Sequence, residues 1–231
     1  MKKIITTKKI ATTLLIGSCV LALAACGDKS ANLNPQQPAS LAQGQTADSK
    51  GLTESPYQSI FQDSLFVGDS IMEGLSFHDV LKEKNVLAGA GKTAEFALED
   101  IDELAGRNPK QIFIQLGSDD ILWPTDNPEE YSLQNYTKLI GAFKEKLPQA
   151  QITILSVTPV TAEAEKQEPR YKNISDYNQG LKELAEQENV GFVDLSPIFS
   201  DGSDDLYDSD GIHFKPKYYN KLLDLLKDQV K

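Results

Sequence analysis

Between Ser64 and Leu195, short apolar runs alternate with longer segments whose apolar residues recur at helical spacing. The runs Leu65–Val67, Asn85–Leu87, Gln111–Leu116, Ile152–Val157 and Gly191–Leu195 read as strands. Helical spacing links Phe96, Leu98, Ile101 and Leu104, then Tyr136, Leu139, Ile140, Phe143 and Leu147. It returns in Ile174, Tyr177, Leu181 and Leu184, and lastly in Tyr218, Leu222, Leu225 and Leu226. Pro148 and Asn189 stand where two of these helices should stop. Five short strands alternating with helices predict a five-stranded parallel sheet covered on both faces, a three-layer α/β/α sandwich. Such sheets bind ligands beyond the carboxyl ends of their strands. Ser70, Gly89–Gly91, Gly117–Asp120 and Thr158-Pro159 each follow a strand directly, so they should share one rim.

The N-terminus has a different pattern. Met1 to Lys9 carries Lys2, Lys3, Lys8 and Lys9 and no acid, and Ile10 to Ala25 is apolar apart from Ser, Thr and Gly. A basic segment followed by a short apolar one reads as an export signal rather than a membrane span. Its end, Leu23-Ala24-Ala25-Cys26-Gly27, resembles the bacterial lipobox, which implies that Cys26 is lipidated and becomes the first mature residue. Cys19 lies inside the apolar core and would be lost with the signal. Residues 27 to about 54, rich in Ser, Ala, Gln, Asn, Pro and Gly, read as a flexible tether. Three parts are therefore expected: a lipoprotein signal peptide over 1–25, a lipidated cysteine and tether over 26–54, and a domain over 55–231. That domain would sit on the outer face of the cytoplasmic membrane.

Two consequences follow for chemistry. With Cys26 acylated, no thiol remains for a disulfide, a zinc site or a cysteine nucleophile. Losing four lysines and no acid deepens the net charge from −11 to −15. Nucleic acid is then an unsuitable partner, because its binding needs a basic face.

Candidate chemistry begins at Gly68-Asp69-Ser70, a strand-to-helix turn. Ser70 there is placed to be a nucleophile, while Asp69 or Ser70 could equally be only a helix cap. Near the other end stands Asp208-Ser209-Asp210-Gly211-Ile212-His213-Phe214. Asp210 could meet one nitrogen of His213 and leave the other to take a proton from Ser70. Standing alone, the pair could also be a cap acid beside a surface histidine. His78, the chain's other histidine, reads as a partly exposed helical residue. In Ala88-Gly89-Ala90-Gly91-Lys92-Thr93 a glycine N–H could face a developing oxyanion. The acidic stretch Asp201 to Asp210 lacks the order of a calcium loop and reads as solvated. Trp123, Tyr131 and Tyr136 could stack on a sugar or simply pack locally. Thr158 to Tyr171 reads as a long polar loop bordering the rim.

Taken in order, Gly68-Asp69-Ser70, Gly91, Gly117-x-x-Asp120 and Asp210-x-x-His213 resemble the four blocks of the SGNH (GDSL-type) hydrolases. The resemblance spans about Ser64 to Lys231 and implies their flavodoxin-like fold and ester hydrolysis through an acyl-enzyme, with no metal or organic cofactor. It implies Ser70 as nucleophile, His213 as general base and acid, and Asp210 as the carboxylate orienting it. The backbone N–H groups of Ser70 and Gly91 would be oxyanion donors, with Gly89 the competitor for the second. In one block the chain departs from the family. Asp119 stands where the family has an asparagine whose side chain is the third donor, and an ionised carboxylate only accepts. Two functional classes follow. One is a surface-anchored serine esterase of small, acetyl-like acyl esters on envelope or nutrient glycans. The other is a degenerate relative kept as a noncatalytic envelope or glycan-binding lipoprotein.

Overall fold

The structure is a computed structural model and describes residues 55–230 except 201, 203 and 204. Five strands form one parallel sheet: β1 (Ser64–Gly68), β2 (Val86–Ala88), β3 (Gln111–Gln115), β4 (Gln151–Leu155) and β5 (Gly191–Val193). Their spatial order is β2-β1-β3-β4-β5. The chain crosses from β2 over β1 to reach β3, and the strand order reverses beside β1. That is where a doubly wound sheet opens a crevice for ligands.

Alternation along the strands separates two cores. Leu65, Val67, Ile112, Ile114, Ile152 and Ile154 face one, while Phe66, Phe113 and Leu155 face the other. The second core holds Phe61, Phe66 and Phe113, whose ring centroids lie 5.0–6.1 Å apart.

The helices follow as α1 (Pro56–Ile60), α2 (Ser70–Phe77), α3 (Ala94–Ala97), α4 (Ile101–Arg107) and α5 (Pro128–Lys146). After them come α6 (Ala162–Gln167), α7 (Ile174–Gln187) and α8 (Pro216–Leu226). Helices α3, α4, α5 and α7 cover the first core, and α2 and α8 the second. In α5 the start is fixed by Asn127, whose side chain accepts from the Glu130 N–H, with Pro128 in the first turn. Glu129 and Glu130 open that helix and Lys144 and Lys146 close it, matching the helix dipole. Asn189, just beyond α7, adopts the left-handed conformation (φ 51°) that ends a helix.

Three expectations need correction. The segment from Phe96 to Leu104 is not one helix: α3 and α4 are separated by a tighter turn at Leu98–Asp100. Phe96 is 40% exposed rather than core. The stretch from Thr158 to Tyr171 is not simply a loop, since it contains α6, capped by Thr161, and a 3-10 turn over Pro169–Asn173. The predicted edge strands also differ at their ends: β2 is shifted by one residue, to Val86–Ala88, and β5 ends at Val193 instead of Leu195.

Candidate active site

Strand β1 delivers its last residues into a sharp turn. A side chain at Gly68 would collide with Met72 and the Gln115 carbonyl, so the close approach of α2 to the sheet requires glycine there. Asp69 caps α2: its Oδ1 accepts from the Ile71 N–H at 2.9 Å. Ser70 is therefore the first helical residue, half-buried above the carboxyl edge of β1. Both the cap and the hydroxyl expected from sequence are present, on adjacent residues. Asp69 is itself buried, and its Oδ2 accepts from the Ser118 hydroxyl. Burial pushes its carboxyl up to about 7, against the lowering effect of the Ser118 bond.

The Ser70 Oγ lies 2.8 Å from His213 Nε2, and His213 Nδ1 lies 2.5 Å from Asp210 Oδ2. Two residues 143 apart in sequence thus meet through a continuous hydroxyl–imidazole–carboxylate chain. The turn carrying the imidazole is fixed on several sides. Asp210 Oδ1 accepts from the backbone N–H groups of Ile212 and His213, each at 2.9 Å. Partial burial works against the Asp210 carboxylate, but these bonds and the one from His213 hold it below its ordinary value. Phe214, the next residue, stacks on Tyr218 of α8 at 3.9 Å and pairs with Tyr207 in an isolated antiparallel bridge. From the rim, the Thr161 N–H donates to the Gly211 carbonyl at 2.9 Å and the Tyr207 hydroxyl to the Pro159 carbonyl at 3.0 Å.

Across Ser70 lie the segments after β2 and β3. The Gly89 N–H donates to the Gly68 carbonyl at 3.2 Å, so it is committed to extending the ladder. Gly91 lies in a positive-φ turn (74°) and is exposed. Burial raises the Asp119 carboxyl above its usual range, while the nearby His213 and the Gly91 amide act in the other direction. Gly117 holds φ at 139°, and a side chain there would strike Val157 and Tyr177. Asp120 is buried and joins the two segments: its Oδ1 accepts from the Ala94 N–H at 3.0 Å and from the Ser132 hydroxyl at 2.5 Å. The Tyr177 hydroxyl closes that network 2.6 Å from Ser132. Burial pushes Asp120 up to about 6.

Other singled-out residues have structural settings. His78 caps the end of α2, with Nε2 donating to the Phe214 carbonyl at 3.2 Å, and is not itself helical. Tyr136 is fully buried, its hydroxyl bonding the Leu116 backbone. Trp123 packs edge-on against Phe96 at 5.4 Å. Tyr131 hydrogen-bonds Glu95, which raises the phenol. A cavity of about 700 Å³ opens at the ends of β4 and β5 between Val157, Pro159, Phe192 and α7. Neither Ser70 nor His213 lines it. Among the described residues, no group of three or more His, Cys, Asp or Glu could hold a metal ion. Cys26 lies outside the described residues.

Sequence reasoning singled out Asp69 and Asp120 but missed their pairing with the hydroxyls of Ser118 and Ser132, and that of Ser132 with Tyr177. Asp69, Ser118 and Asp120 stand in the turns directly after β1 and β3, and Ser132 and Tyr177 lie within α5 and α7.

A parallel α/β sheet carrying Ser, His and Asp in this chain, at the carboxyl edge beside its reversal point, defines the hydrolase class built on this architecture. The family model of the GDSL-like lipase/acylhydrolase family matches residues 66–221, and the chain belongs to that family. Solved structures agree in fold. A GDSL-like lipase from Bacteroides thetaiotaomicron superposes with a TM-score of 0.59 at 18% identity, covering 75% of this chain and 90% of that one. A Streptococcus pneumonia protein gives a TM-score of 0.58 at 25% identity, with coverages of 77% and 91%. An acetyl-xylooligosaccharide esterase from Geobacillus gives 0.50 at 21% identity, covering 72% and 92%. No curated protein sequence is similar enough to count as a match.

Proposed function

We propose that this chain is a serine esterase that removes small, acetyl-like acyl groups from envelope or nutrient glycans. The carrying observation is the unbroken chain from Ser70 Oγ through His213 to Asp210. His213 Nε2 takes the proton as Ser70 Oγ bonds to the ester carbon. It then gives that proton to the departing alcohol, leaving an acyl-enzyme. Water, deprotonated by the same nitrogen, attacks the acyl carbon and frees Ser70 and the acid. Asp210 keeps Nδ1 protonated and the ring oriented throughout. The N–H groups of Ser70 and Gly91 face the carbonyl oxygen.

A fluorophosphonate should label Ser70, and a chromogenic acetate ester should be turned over. Both signals should vanish in Ser70→Ala. Labelling unchanged in that variant would reject the assignment. Asp119 favours a second reading, a noncatalytic glycan binder, because a carboxylate beside the oxyanion opposes its formation. Absence of turnover above the Ser70→Ala background, with glycan binding retained, would select it.

The Leu23–Cys26 stretch supports anchoring on the outer face of the cytoplasmic membrane through a diacylglyceryl group on Cys26. The wild-type protein should partition with membranes and carry lipid on its N-terminal residue. Cys26→Ala should release it or leave the precursor uncut. A wholly soluble, unlipidated wild type would overturn the anchor.

A further inference from the structure

The cavity of about 700 Å³ at the carboxyl ends of β4 and β5 takes no part in the catalytic steps. It nevertheless shares a wall with the turn that carries His213. Pro159 and Val160 line it, and the next residue, Thr161, donates its N–H to the Gly211 carbonyl at 2.9 Å. A side chain at Gly211 would strike Thr161, so the two segments touch there. The Pro159 carbonyl accepts from the Tyr207 hydroxyl at 3.0 Å, and Ile212 packs into the same core as Val157, Val160 and Phe192. Within the sheet, β4 and β5 are the second and third neighbours of β1, about 10 and about 14 Å away.

The lining has two kinds of surface. Val157, Ile174 and Phe192 supply an apolar part. Glu165 of α6, Lys172 of the 3-10 turn, and Ser175 and Lys182 of α7 are exposed around it. Among the described residues these four side chains have no hydrogen bond or ion pair. With Asp194, the two acids and two lysines leave the lining without net charge, so it selects neither an anion nor a cation. An acyl chain would set hydrocarbon against those uncommitted polar groups, which opposes its burial. A neutral sugar ring suits both surfaces, placing its C–H face on the apolar part and its hydroxyls against the polar side chains.

We infer that this cavity holds a sugar of the leaving alcohol, at least one ring removed from the ring that carries the ester. The inference rests on the esterase reading above and says where that esterase grips its glycan. His213 Nε2 must protonate the leaving oxygen, so the alcohol departs on the side of the catalytic turn, and the cavity lies against that turn. Its distance from β1 is too great for an acetyl group or for the esterified ring itself, and suits the next rings of an oligosaccharide. No bond changes in the cavity. The contacts made there are the same before and during the reaction, so they lower KM and leave kcat alone.

The test compares O-acetylated monosaccharides with O-acetylated trisaccharides of glucose, xylose and N-acetylglucosamine, alongside a chromogenic acetate that carries no sugar. In at least one series KM for the trisaccharide should fall about tenfold below that for the monosaccharide at similar kcat, the factor that one hydrogen bond to a charged group supplies. Ser175→Trp, which fills the cavity from an exposed position, should bring the two KM values together, with the chromogenic acetate still turned over. Lys182→Ala combined with Glu165→Ala should narrow the gap in the same direction. Equal KM values within every series, or a trisaccharide advantage untouched by Ser175→Trp, overturns the inference while leaving the esterase intact. So does a KM that falls from the chromogenic acetate to the octanoate and loses that fall in Ser175→Trp, which would make the cavity an acyl site. Hydrolysis of none of the esters above the Ser70→Ala background would instead overturn the esterase reading.

Discussion

The two sides of Ser70 are built by opposite means. On the His213 side, four consecutive turn residues, Asp210 to His213, supply both carboxylate and imidazole, and roughly two-fifths of each side chain is open to solvent. The Asp210 carboxylate there is held below its ordinary value by short-range bonds. On the Gly91 side, segments following β1, β2 and β3 converge, and their acids lie in the interior. Asp69 and Asp120 are 1% and 2% exposed, and burial raises them to about 7 and about 6. Solvent and local bonds keep one side charged, and desolvation presses the other toward neutrality. Proton transfer and oxyanion stabilisation are therefore expected to fail separately.

The sharpest way to separate them is His213→Ala. It should lower kcat for an acetate ester by about 10⁴ or more, as loss of the base in a serine triad does. Thermal melting should be nearly unchanged, since His213 is half exposed. A fall of less than tenfold would mean that another group takes the proton.

Asp119→Asn probes the other side with the opposite sign. For a neutral acyl ester near pH 7 it should raise kcat/KM by on the order of 10², the amount one oxyanion donor supplies. Steady-state kinetics from pH 5 to 8 check this. The wild type should gain activity on mild acidification, as the raised Asp119 carboxyl takes up its proton, and the variant should show less of that gain. A loss at every pH would give Asp119 a positive role with neutral esters.

The smallest effect is on stability. Asp69 holds its proton more tightly folded than unfolded, so between about pH 4 and about 7 the folded state carries more bound protons. Stability from this group is complete at the acid end and is lost as pH rises through about 7. Urea unfolding should show it as a loss of about 2–3 kcal/mol between pH 5 and 8, nearly all of it below about pH 7. Asp69→Asn should flatten that slope. A wild type more stable at pH 8 than at pH 5 would contradict the burial argument.

The same comparison explains what could be read in the sequence. Buried parallel strands make continuous apolar runs, so all five appeared in order, within a residue or two at the ends. The contact of Ser70 with His213 and of His213 with Asp210 was legible because Gly68-Asp69-Ser70 and Asp210-x-x-His213 are local patterns. Helix α6, Ala-Glu-Ala-Glu-Lys-Gln, buries only Ala164 and so carries no apolar period. The pairing of Ser118 with Asp69 spans 49 residues, and that of Ser132 with Tyr177 spans 45. Only the fold brings those partners together. Gly91 and Gly89 could be ranked by resemblance alone, until the Gly89 N–H was found committed to Gly68.

The bridge between Tyr207 and Phe214 and the stack of Phe214 on α8 also bear on the order of synthesis. Chains emerge from the ribosome N-terminus first, and early segments begin to fold before late ones exist. Every strand of the sheet is complete by Val193, and Ser70 can be capped by then. The imidazole comes only with the final stretch, and its position depends on a helix made after it. A nascent or clipped chain ending before Tyr218 would possess the serine but hold its base on an unanchored tail. Hydrolytic activity would therefore report that α8 is present and docked.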